Sequence, residues 1–157
     1  MTAAGHKEAR QGDMRPLALS IPRSIGKRRK TGGYAAICAI AFDAEPGVFR
    51  LGAAEDIDVL LSRLQLGTWH ELYFVRAIWT PGMAVARTVA AGVEKALTGA
   101  GVALGQHWYR SGLDVLDAAV EAERAKLRAQ VWSNAELIAR LRHQENAEAD
   151  RFADGIV

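Results

Sequence analysis

A chain of 157 residues, half hydrophobic and about a quarter charged, has the length and composition of one globular domain with a real core. No apolar run approaches the roughly 20 residues a bilayer span requires, and the single cysteine, Cys38, excludes a disulfide framework or a cysteine-based metal site. The net charge of +2 hides an asymmetry. Eight Lys/Arg against Glu8 and Asp13 give residues 1–30 a balance of +6, leaving 12 basic against 16 acidic residues, or −4, in the remainder. A basic arm on a mildly acidic body points to a polyanion partner, nucleic acid first. The N-terminus has no continuous apolar segment of the secretory kind, so the chain reads as cytosolic, with no membrane partner.

Residues 1–31 read as a flexible basic arm, in which Pro16 and Pro22 interrupt a modestly apolar stretch. Arg23, Lys27, Arg28, Arg29 and Lys30 are either a phosphate-binding segment, whose contacts release counterions, or a solubilising tail. Tyr34 to Phe42 is short and apolar between glycine and acidic turn residues, which predicts a buried strand while its alanines leave a helix open. Pro46-Gly47 supplies a tight turn, and Val48 to Leu51 returns as the second strand of a hairpin that breaks at Gly52. Ile57, Leu60, Leu61 and Leu64 then recur at helical spacing, with Gly67 as the stop. Arg63 lies at the shoulder of that stripe, where it can reach a phosphate beside the strand end or stand as a solvated arginine.

Glu71 to Trp79 is rich in β-branched and aromatic residues and reads as a third strand. Pro81 opens the next helix, whose stripe is Met83, Ala86, Val89, Ala90, Val93 and Leu97. Glu94 shares the side of that stripe, and a carboxylate there is costly unless paired, hydrogen-bonded or metal-bound. Arg87, two turns back, is the partner a purely structural role would use. In the glycine-rich loop that follows, His107 reads as a hydrogen-bonding residue. Trp108 and Tyr109 could stack on bases, but core packing is the expectation. Ser111 with Asp114, and Ser133 with Glu136, each fit a helix-start box for two C-terminal helices. Neither helix sustains enough heptads for a coiled coil.

Gly33-Tyr34-Ala35-Ala36, Arg50-Leu51-Gly52, Arg63-Leu64-Gln65-Leu66-Gly67, Glu94 and Gly105-Gln106-His107-Trp108-Tyr109 follow in an order that resembles the GIY-YIG nuclease superfamily, nearest its bacterial and phage GIY-YIG-like branch. The resemblance covers about residues 33–116. It implies an α+β domain at 32–116, with a small three-stranded antiparallel sheet flanked by helices. The basic arm at 1–31 and a C-terminal helical extension at 117–157 complete the expected organisation.

It further implies a metal-dependent DNA endonuclease. Glu94 would hold Mg²⁺ or Mn²⁺, Tyr34 would stand near the attacking water and Arg63 on the phosphate, with Arg50 and the arm as further DNA contacts. A divalent ion and a guanidinium are suited to neutralising a scissile phosphate. The chain departs from the pattern at three places. Ala36 replaces the second tyrosine, Arg50 replaces a Tyr or Lys and cannot act as a base, and Gln106-His107 replaces an acidic residue. The alternative is a catalytically degenerate nucleic-acid-binding or protein-interaction module of phage or mobile-element origin.

Overall fold

The computed structural model describes residues 16–17 and 23–155. Residues 1–15 and 18–22 of the expected arm, and the side chain of Arg23, lie outside the described part. In chain order the elements are α1 (Arg23–Thr31), β1 (Ala35–Ala41), β2 (Val48–Ala54), α2 (Ile57–Gln65), β3 (Tyr73–Thr80) and α3 (Met83–Gly99). After these come β4 (Ala103–Gly105), β5 (Trp108–Arg110), α4 (Leu113–Leu127), β6 (Trp132–Ser133) and α5 (Asn134–Asp154). The strands form one antiparallel sheet in the order β4-β5-β2-β1-β3-β6.

β1 takes the centre because every one of its residues is apolar and buried, and its alternate side chains serve two cores. Ala35, Ile37, Ala39 and Ala41 meet Ala86, Val89, Val93 and Leu97 of α3, with Leu113, Leu116 and Val120 of α4 behind. On the other face Ala36, Cys38 and Ile40 meet Ile25 of α1, Ile57 of α2, and Leu137 and Leu141 of α5. The result is three layers, with α3 and α4 on one side of the sheet and α1, α2 and α5 on the other. Burial pushes the Cys38 thiol up to about 12, so it stays protonated and structural.

The predicted hairpin, third strand and main helices are present, but the small three-stranded sheet is not: the sheet has six strands. β4, β5 and β6 are two or three residues long, too short for a period of two to register. The turn joining β4 to β5 is Gln106 (φ 52) and His107 (φ 70), both left-handed. Such a two-residue turn normally carries Asn-Gly, so the usual hairpin signal is missing.

β2 also runs past Gly52 to Ala54 instead of breaking there. The glycine serves the crossing of α2, since a Cβ on it would stand 3.0 Å from Leu60 Cδ2. Asp56 caps α2 by accepting from the Val59 amide at 3.2 Å. Of the two helix-start boxes only the second forms. Ser133 Oγ accepts from the Glu136 amide at 3.1 Å, whereas α4 begins after Gly112 with no side-chain cap.

The last residues of the arm differ from the expectation too. Residues 23–31 are a helix held to the body by Ile25 and by Arg28, whose Nη2 donates to Glu148 at 2.7 Å. The boundary expected at 116/117 falls inside α4, and α5 contributes two fully buried leucines to the second core. Among the described residues no helix is long and apolar enough to cross a membrane.

Candidate nucleic-acid interface

The sheet lies between the residues expected to form one catalytic centre. Tyr34 stands just before β1, half-buried on the α5 side, with its ring edge-on to Trp132 at 5.6 Å. Arg63 is exposed on α2, on that same side of the sheet. Glu94 belongs to α3 on the opposite side. Its Oε1 accepts a hydrogen bond from His107 Nδ1 at 2.6 Å, and its partner is therefore the hairpin histidine and not Arg87. The Tyr109 phenol lies close by, pushed up first by burial and then by the Glu94 carboxylate.

Hard divalent cations take six or more oxygen ligands, mainly carboxylate, carbonyl and water. Around Glu94 the neighbours are an imidazole and a phenol, with no grouping of three or more His, Cys, Asp or Glu among the described residues. Glu94 thus offers a divalent ion a single carboxylate, and one already bonded to His107. In the structure that bond anchors a turn. Left-handed backbone at two non-glycine residues costs on the order of 1 kcal/mol each, and the Glu94–His107 bond helps hold the turn in place. So does the Leu51 amide, which donates to His107 O at 3.0 Å.

The cationic segment is partly committed to the body. Arg29 is buried with its guanidinium 4.7 Å from the Trp79 ring centre, and Lys30 Nζ comes within 4.0 Å of Asp56. With Arg28 on Glu148, Lys27 is left as the exposed cation of α1 without an ion pair among the described residues.

Arg50 leads to a different feature. The pairing of Val48, Phe49 and Arg50 with Arg110, Tyr109 and Trp108 sends Phe49 and Tyr109 into the α3 core. By alternation Arg50, Trp108 and Arg110 project together on the α2 side. There they line an open groove of about 850 Å³, whose other wall is the end of α2 and the turn after it. Arg110 Nη2 is 3.5 Å from Glu45, while Arg50 has no ion-pair partner among the described residues. Phe42 ties the walls together: it stacks on His70 at 4.9 Å and meets Trp108 edge-on at 5.6 Å.

Of this set the sequence reading singled out Arg50 and weighed Trp108 as a stacking residue. Arg110, Phe42 and His70 were outside any motif. The available signal was the Trp108–Tyr109–Arg110 alternation after Gly105, which marks one apolar and one mixed face. Comparisons of the chain with protein-family models, with curated proteins and with solved structures found no match.

Proposed function

We propose that this chain binds nucleic acid without cutting it, through the groove between β5 and the end of α2. The observation that carries this reading is the placement of Arg50 and Arg110 beside Trp108 in one open groove. Guanidinium groups suit phosphate oxygens, and an indole face suits a base, so the pair of chemistries favours a nucleic acid over either a neutral ligand or a simple anion. The binding reading is preferred to the endonuclease because Tyr34 and Arg63 stand on one side of the sheet and Glu94 on the other.

The test is fluorescence anisotropy with labelled DNA oligonucleotides, together with incubation of supercoiled plasmid with Mg²⁺ or Mn²⁺. Binding is expected to weaken as salt rises from about 50 to about 200 mM. Replacing both Arg50 and Arg110 by Ala should lower affinity at least about tenfold and shallow the salt slope by roughly one per arginine removed. Plasmid should remain supercoiled. Nicking by the wild type that disappears in Glu94→Ala and Arg63→Ala would restore the endonuclease reading, and no binding at all would end the nucleic-acid reading.

A further inference from the structure

Trp69 is entirely exposed, with a relative accessibility of 102 %, and Leu66 in the same turn is at 90 %. Single exposed apolar residues are ordinary, but a tryptophan and a leucine offered together from one turn are not. This turn is also built to stay where it is. The Gln65 side chain bridges it, with Nε2 donating to His70 O at 2.7 Å and Oε1 accepting from the Leu72 amide at 2.8 Å. Thr68 Oγ1 accepts from the His70 amide at 3.2 Å, and the Gly67 amide donates to Leu64 O at 3.1 Å. Burial of Leu72 and the stacking of His70 on Phe42 pin its far end to the body. A tryptophan held out by a backbone tied in this way loses little freedom when something packs on it.

Gly67 and Thr68, which precede Trp69 directly in the chain, line the groove together with Trp108, Arg50 and Arg110. We infer that the groove takes single-stranded nucleic acid, with the backbone on the two arginines and unpaired bases on Trp108 and Trp69; the inference rests on the binding reading above. A duplex hides its base faces in its own stack and presents only phosphates and base edges, which gives an exposed indole nothing flat to meet. An unpaired strand presents both at once, and stacking is tolerant of base identity. A protein partner would also bury Trp69, but it has less use for two arginines lining the neighbouring groove.

The experiment compares a mixed-sequence single strand with the corresponding duplex by anisotropy, using wild type, Trp69→Ala, Trp69→Phe and the Arg50→Ala/Arg110→Ala double variant. Thermal melts run alongside, and the melting temperature of Trp69→Ala should match wild type because the side chain is solvent-exposed. Single strand is expected to bind at least about tenfold more tightly than duplex. Trp69→Ala should lose about tenfold on the single strand, within the range for removing one stacking platform. Trp69→Phe should retain most of the affinity, and adding the strand should quench the tryptophan emission. Equal affinity for single strand and duplex, with no effect of Trp69→Ala, overturns the inference. If the arginine double variant still weakens binding in that case, the binding function survives and the ligand is a duplex backbone. Absence of binding to either form ends both readings, and turns Trp69 toward a protein partner.

Discussion

Trp79→Ala should lower the free energy of unfolding by about 3–5 kcal/mol, measured by urea denaturation followed by circular dichroism, the range for deleting a large buried aromatic. Trp79 is fully buried and is the largest such side chain in the domain. Three parts of the fold meet on it. Its ring packs in the second core against the sheet, the Arg29 guanidinium of α1 covers its face, and its Nε1 donates to Asn134 Oδ1 at 3.1 Å where α5 begins. Truncation therefore leaves a cavity, an unpaired buried amide oxygen and a buried cation without its aromatic neighbour. Arg29 Nε already lacks a hydrogen-bond partner among the described residues. Trp79→Phe separates these terms: it keeps most of the ring and loses the N–H, and should cost about 1–3 kcal/mol. A loss below about 1 kcal/mol in Trp79→Ala would show that α1 and α5 are not held by this residue.

Phe49→Ala should cost a similar amount, about 3–5 kcal/mol, and should weaken nucleic-acid binding although Phe49 never faces the groove. Phe49 is fully buried, pairs with Tyr109 across β2 and β5, and stacks on its ring at 5.9 Å. Aromatic pairs of this kind contribute about 0.5–1.5 kcal/mol beyond their buried area. β5 is only three residues long, so few other contacts hold Trp108 and Arg110 in place from behind. Phe49→Leu keeps most of the volume and should cost clearly less in both stability and affinity. Full affinity in a correctly folded Phe49→Ala would mean that the groove wall does not depend on the core beneath it.

The central part of the fold was legible from residues alone. β1 announced itself by an unbroken apolar run between turn residues, α2 and α3 by stripes at helical spacing, and β3 by its aromatic and β-branched composition. What could not be read is what distant residues decide. α1 is strongly polar and carries Gly26 in its middle, so its sequence favours a tail. It becomes a helix because Ile25 enters a core, Arg29 covers Trp79 and Arg28 finds Glu148, 120 residues away. β5 exists because the edge of β2 was open. The candidate site divides in the same way. Arg50 was picked out through the Arg50-Leu51-Gly52 resemblance, but Arg110 joins it only through a strand pairing that local pattern does not encode. Tyr34, Arg63 and Glu94 follow one another in a suggestive order, yet order along the chain does not say which face of the sheet each helix covers.

The strand order also sets a sequence of events in time. β1, β2, α2 and β3 are contiguous, and can close on one another through short connections. β5 must return to the free edge of β2 across the whole of β3 and α3, and longer closures carry a larger entropic cost and slow the step. The half of the groove made by α2 and its turn should therefore form with the first hairpin, and the half made by β5 should be added late. In φ-value terms Ile37→Val in β1 should score high and Tyr109→Leu in β5 low, and the reverse ranking would reject this order. A nascent chain would then display Trp69 and Arg50 before Trp108 and Arg110 join them, so binding competence arrives with β5.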